Sequence, residues 1–305
     1  MLTDRFGRKV TNLRIAITSR CNLRCFYCHR EGETSPQGST QDLSKKEMSV
    51  EDIKRICDVF YDLGIKKVKI TGGEPLLRKD IFEIIQSMPP FKEISMTTNG
   101  MLLAQNAYEL AEVGLSRVNI SLDTMDEGKY RQVTGGDLSK VVDAVYAAED
   151  ANLNPVKINM LILKGINEKE VGEMLDFTSQ FNKDSINVIL QIIENLMLPG
   201  MEEYYYDISP IEKMYSEMAE AVMVRKMHKR RQYAIDRSVV EFVKPLYNSE
   251  FCQHCNRIRV TSDGKIKPCL LKNDNLIDIK DLKGDDLVGA VNKAVSLREP
   301  FFCDS

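Results

Sequence analysis

Residues 13–30 read LRIAITSRCNLRCFYCHR, a short apolar run with no glycine or proline that gives way at once to three cysteines, Cys21, Cys25 and Cys28, spaced C-x3-C-x2-C. The run LRIAIT has the length and β-branched content of a buried strand. A strand that delivers ligating residues at its carboxyl end is the form taken by sites in parallel α/β sheets. The same pattern recurs along the chain at residues 67–71 (KVKIT), 93–97 (EISMT), 117–122 (RVNISL), 156–163 (VKINMLIL) and 186–193 (INVILQII). Segments such as 49–63 and 140–151 lie between them and carry apolar residues at helical spacing. Ser49 with Asp52 reads as a helix N-cap, and Gly64 and Gly114 as helix stops. The second strand runs into Gly72-Gly73-Glu74-Pro75, the third into Thr97-Thr98-Asn99-Gly100, and the fourth holds Ser121 near Asp123. Six strand-helix units are too few for a closed eightfold barrel, and no glycine-rich dinucleotide loop follows the first strand. The expected fold class is therefore α/β, an incomplete (β/α)6 TIM-type barrel. Residues 34–44 form the most loop-like stretch.

A second triad, Cys252, Cys255 and Cys269, is spaced C-x2-C-x13-C near the other end. A structural zinc ion takes four protein ligands, whereas a 4Fe-4S cluster held by three thiolates leaves one iron open to another molecule. Two triads point to two open clusters, the second in a C-terminal extension that departs from the strand-helix rhythm. The division expected is a core over residues 1–195 and an extension over 196–305 that closes the barrel mouth. The 305 residues suffice for one large α/β domain. Eight cysteines, six of them in two tight motifs, argue for metal chemistry in a reducing compartment rather than disulfides. Cys57 falls in a predicted helix and reads as a small core residue; Cys303 has no readable role. A net charge of −3 argues against a nucleic-acid surface, and the absence of a long apolar run or a signal-like start argues for a cytoplasmic protein away from membranes. The basic run at residues 225–231 (RKMHKRR) reads as a solvated helix end.

TSRCNLRCFYCHR and ITGGEP together resemble the radical S-adenosylmethionine (SAM) family, in which three such cysteines hold a 4Fe-4S cluster whose open iron is chelated by SAM. That resemblance implies SAM contacts at Tyr27, Gly73, Glu74, Ser121 and Leu196. Residues 251–270, FCQHCNRIRVTSDGKIKPCL, resemble the C-terminal cluster segment of the GTP 3',8-cyclase (MoaA) family of molybdenum cofactor biosynthesis, a likeness that runs from about residue 4 to residue 271. It implies a second 4Fe-4S cluster at Cys252, Cys255 and Cys269 that binds the guanine of GTP, with GTP contacts at Arg14, Lys67, Lys69, Thr97, Lys157, Arg257, Ile258 and Arg259. Arg257 and Arg259 are implied as catalytic. A triphosphate needs cations at the barrel mouth, and alternation places Lys67 and Lys69 on one face of their strand. For Arg257 and Arg259, the alternative is a plain β-hairpin turning at 262–264.

Two positions depart from the family, Gln191 where Arg is frequent and Leu196 where Met is frequent. The chain also ends REPFFCDS instead of in a double glycine, which leaves Arg298 as a candidate substitute. The family further implies a downstream cyclic pyranopterin monophosphate synthase, a reductant such as flavodoxin or ferredoxin, and a homodimer. Two other readings stand beside it: a radical SAM peptide maturase with an auxiliary cluster, and a zinc-stabilised module using His29 or His254 as fourth ligand.

Overall fold

The computed structural model describes residues 1–29, 47–197, 199–246 and 248–301. The stretch 34–44 and Cys303 lie outside the described residues. Strands β1 (Asn12–Ala16), β2 (Lys67–Thr71), β3 (Glu93–Thr98), β4 (Arg117–Ser121), β5 (Val156–Ile162) and β6 (Val188–Glu194) run parallel, side by side in chain order. Helices α1 (Val50–Asp62), α2 (Ile81–Ser87) and α3 (Ala107–Glu112) follow β1, β2 and β3, α4 (Glu127–Thr134) and α5 (Leu138–Asp150) both follow β4, and α6 (Val171–Ser179) follows β5. All six expected strands are present, each within two residues of its expected start.

The local sequence explains why these pieces form. Ser49 and Asp52 build a reciprocal capping box at the start of α1. Ile53, Ile56, Cys57 and Phe60 then fall on one stripe of that helix and are fully buried. Burial pushes the Cys57 thiol up to about 12, as suits an inert core residue. Gly64 and Gly114 take φ of +95° and +105° after α1 and α3, where a side chain would be strained. Each strand buries one set of alternating residues, such as Leu13 and Ile15 in β1 or Val68 and Ile70 in β2, in the main hydrophobic core. At about 1.5–3 kcal/mol per buried aliphatic side chain, this outer face drives closure of the sheet against the helices.

Beyond β6 the chain forms α7 (Ser209–Met218), β7 (Ala221–Val224), β8 (Arg231–Ile235), β9 (Ser238–Val243), α8 (Ser249–Gln253), β10 (Arg257–Val260), β11 (Lys265–Lys267), β12 (Ile277–Asp278) and α9 (Gly284–Ser296). The sheet order is β12-β11-β10-β1-β2-β3-β4-β5-β6-β9-β8-β7. β10 adds parallel to β1, and β9 parallel to β6, so eight contiguous strands are parallel and an antiparallel pair flanks each end. The barrel stays open between β12 and β7. Its two outermost parallel strands come from the C-terminal third, which sequence reading counted as outside the barrel.

The inner face is polar, and its register is informative. Arg259 of β10, Arg14 of β1 and Lys69 of β2 are direct cross-strand partners. Like charges placed opposite one another destabilise a sheet. Three cations in one row therefore mark a surface built for something other than stability.

Candidate active site

One cavity of about 450 Å³ is lined by all six cysteines of the two triads; the first triad follows the carboxyl end of β1, whereas Cys252 and Cys255 precede the amino end of the parallel strand β10. This volume suits a small-molecule site. None of the six is in a disulfide.

The loop after β1 carries the first triad and is held by the loop after β2. Gly73 N–H donates to Thr18 O and Glu74 N–H to Arg20 O, both at 2.8 Å. A Cβ on Gly73 would lie 2.1 Å from Arg20 O, so only glycine permits this approach. The Glu74 carboxylate is fully buried and accepts from Leu76 N–H (3.0 Å), Thr98 Oγ1 (2.8 Å) and Asn99 N–H (2.7 Å). Asn99 Nδ2 in turn donates to Cys21 Sγ at 3.7 Å. Tyr27 donates its hydroxyl to the Asp123 carboxylate, and burial lifts Asp123 to about 6. Burial, with the charges of Asp123, Cys28 and Cys21, pushes Cys25 up to about 12.

The second triad lies in opposite electrostatics. Its loop is clamped by both ends of the chain: Arg8 donates to Cys252 O at 2.9 Å, and Arg298 to Cys255 O at 2.6 Å. Both guanidiniums meet on the buried Asp4 carboxylate, at 2.7 and 2.8 Å. Burial alone would raise the Cys255 thiol, but Arg298, Arg257 and Arg259 bring it below its ordinary value.

Between the triads the inner wall is cationic and cross-linked. Lys69 Nζ donates to Asn119 Oδ1 (2.6 Å), Asn119 Nδ2 to Asn159 Oδ1 (3.2 Å), and Gln191 Nε2 to the same Asn159 oxygen (3.0 Å). Burial, with the neighbouring cations Arg117 and Arg14, depresses Lys69 well below its ordinary value. Lys157 and Arg230 pair with Glu241 at 2.7 and 2.6 Å, and Arg225 stands 3.9 Å from it. Thr97 presents a buried hydroxyl, and Asn195 a buried amide nitrogen, with no hydrogen-bond partner among the described residues.

Residues 15–178 match the Radical SAM superfamily, and residues 193–302 match Molybdenum Cofactor Synthesis C. The chain is 54% identical over 303 residues to a probable GTP 3',8-cyclase of Archaeoglobus fulgidus, covering 99% of both chains. A protein of the same name from Methanocella arvoryzae is 45% identical over 304 residues, covering 99% of this chain and 95% of that one. The chain belongs to the radical SAM superfamily and, within it, to the GTP 3',8-cyclase family. The crystal structure of Streptococcus suis SuiB superposes with a TM-score of 0.66 at 19% identity over 93% of this chain and 68% of that one, a likeness of fold alone.

The cysteine set fits the two 4Fe-4S clusters and the SAM that go with this family, since among the described residues each triad offers three thiols and no fourth cysteine. The positions expected for cyclase ligands divide into three groups. Tyr27, Gly73, Ser121, Leu196, Arg14, Lys69, Thr97, Lys157, Arg257 and Arg259 all line the cavity. The Glu74 side chain does not: its carboxylate is turned inward and spent on the three donors above, so it positions Asn99 and the Cys21 loop. Lys67 and Ile258 are also displaced from their expected place. Lys67 opens β2 in register with Asn12 of β1 and, through it, Arg257 of β10, at the far end from the first triad, and pairs with Glu93 at 2.6 Å. The Ile258 side chain is fully buried in the apolar core on the opposite face from Arg257 and Arg259, which leaves only its main chain near the cavity. The hairpin turning at 262–264 does exist, closed by Thr261 N–H to Lys265 O at 2.9 Å, and the two arginines nonetheless face inward.

One correction concerns a run read as a solvated helix end. The run 225–231 is no helix end: it joins β7 to β8, and Arg225, His228 and Arg230 line the cavity. His254 places Nδ1 2.9 Å from Glu250 O at the end of α8.

Proposed function

We propose that the chain converts GTP to (8S)-3',8-cyclo-7,8-dihydroguanosine 5'-triphosphate, the first step of molybdenum cofactor biosynthesis, with SAM at Cys21, Cys25 and Cys28 and GTP at the second triad. The observation that carries this reading is the registered row Arg259, Arg14 and Lys69, which runs across three strands of a cavity that also holds both open triads. A triphosphate, with roughly four negative charges, is the class of ligand that relieves such a row. Cys21, Cys25 and Cys28 would hold the cluster that, with SAM, would supply the one-electron chemistry that starts on the ribose, and one further electron and a proton would complete the cyclised 7,8-dihydro product.

The chain's own residues do the rest. Arg14, Lys69 and Lys157 hold the phosphates from the strands, and Thr97 offers its unpartnered hydroxyl to the nucleotide. Arg257 and Arg259 bracket the reacting nucleoside from β10. Gly73, Ser121 and Leu196 border the SAM side, and Tyr27 is fixed there by Asp123. Residues 1–195 serve as the SAM-cleaving core and residues 196–305 as the substrate-anchoring extension. A flavodoxin or ferredoxin supplies electrons, a cyclic pyranopterin monophosphate synthase takes the product, and two copies pair as a homodimer. The described residues contain no helix long and apolar enough to cross a membrane.

The test is anaerobic. Reconstituted protein with dithionite, SAM and GTP yields 5'-deoxyadenosine and the cyclised nucleotide together; SAM cleavage with no GTP-dependent product would sink the assignment.

A further inference from the structure

His228 has no part in the scheme above, yet it is the imidazole the cavity wall presents between β7 and β8. It is 5% exposed, and neither ring nitrogen has a hydrogen-bond partner among the described residues. Leaving buried polar atoms unpaired is costly, and the cost points to a partner that arrives with a ligand.

The loop is built to put this ring where it is. Arg225 N–H donates to Arg230 O at 2.8 Å across the turn, and His228 and Lys229 take φ of +62° and +51°. Such angles are uncommon for residues with a Cβ, and two in succession usually fall to asparagine or glycine. His228 N–H then donates to His254 O at 3.1 Å, and the ring stacks on Phe251 with centroids 3.7 Å apart and planes 20° apart. Phe251 and His254 flank Cys252 and Cys255. One ring face is thus covered, and the residue lines the cavity beside the second triad.

The neighbouring charges select the kind of ligand. Burial, together with Arg257, Arg230, Arg259 and Arg14, drives the imidazole far below its ordinary pKa and keeps it neutral. A neutral imidazole offers one donor and one acceptor. Phosphate oxygens go to the guanidiniums around it, whereas the edge of a purine carries donors and acceptors side by side.

We propose that His228 is a specificity-determining residue that hydrogen-bonds the base edge of a purine nucleotide seated against Cys252, Cys255 and Cys269. The inference rests on the nucleotide reading above.

The experiment measures anaerobic equilibrium binding of GTP and of inorganic tripolyphosphate to the holoprotein, in the wild type, in His228→Phe, which keeps the stack on Phe251, and in His228→Gln, which keeps a donor and an acceptor. Iron content and far-ultraviolet circular dichroism check that each variant is folded and loaded. His228→Phe weakens GTP binding roughly tenfold or more while tripolyphosphate binding holds, and His228→Gln recovers a good part of the loss. Equal losses for both ligands, or none for either, would overturn the proposal, and so would loss of iron in both variants, which would assign the ring to the cluster. Failure of the nucleotide reading shows separately, as a wild type that binds tripolyphosphate but not GTP, and it removes this inference too.

Discussion

The two cysteine triads have the same ligand count and line the same cavity, yet the protein surrounds them with fields of opposite sign. Around the first, Asp123 and Glu74 raise thiols already raised by burial, and Cys25 reaches about 12. Around the second, Arg298, Arg257 and Arg259 outweigh burial and bring Cys255 down. A thiol ligates only as the thiolate, so the first site asks its occupants to bring positive charge, whereas the second has it in surplus. A sulfonium with an ammonium group suits the first, and a polyphosphate suits the second. Ligand count says that two sites are open; only the surrounding side chains say to what.

The hardest test of that contrast removes one thiol from each triad. Cys21→Ala abolishes both 5'-deoxyadenosine and cyclised product, because it removes a ligand of the proposed SAM site. Cys269→Ala abolishes the cyclised product but leaves measurable SAM cleavage, uncoupled from GTP. Paired quantification of the two products on anaerobic protein checks this. Cyclised product from the Cys269 variant would break the division of labour.

A smaller effect comes from the clamps. Arg298 is buried and bridges Asp4 to Cys255 O. Arg298→Ala destabilises the protein by roughly 1–3 kcal/mol, less than the roughly 3–5 kcal/mol typical when a buried charge loses its partner, because Arg8 remains on Asp4. It weakens GTP binding more than SAM binding, since the loop it frees is that of the second triad. Chemical denaturation and separate titrations with the two ligands check both halves, and equal losses for SAM and GTP would mean that the clamps are shared.

Much of this was legible in the sequence because strands with no turn residues, each ending in a polar loop, carry their own signal. The alternation that put Arg257 and Arg259 on one face also implied that the Ile258 side chain faces the other way. Glu74 was harder: a carboxylate after a strand does not announce whether it faces a ligand or the backbone of the next strand, and here Asn99 N–H and Thr98 Oγ1 decide. The run 225–231 was the least legible. Charge runs are usually solvated, and the positive φ at His228 and Lys229 that turns this one inward lacks the glycine or asparagine that would mark it. Its counter-charge, Glu241, lies ten or more residues away on β9, and only the fold brings it near.

That buried carboxylate also sets the smallest effect, a pH dependence confined to the second region. Burial, against the pull of Glu241 and helped by Arg230 and Arg225, lowers Lys157 to about 7. Below that pH the ammonium is charged and adds to the row that faces a polyanion; above it the charge is lost, so its contribution to GTP affinity falls as pH rises through about 7. The terminal phosphate titrates in the same range and acts in the opposite direction. Lys157→Arg separates the two, because a guanidinium keeps its charge throughout. The ratio of wild-type to Lys157→Arg affinity for GTP therefore drops by up to a few-fold between about pH 6 and 8, as expected for one partly screened charge. SAM binding at the first triad, measured over the same range, shows no such divergence between the two proteins; a matching drop there would mean that the two fields are not separate.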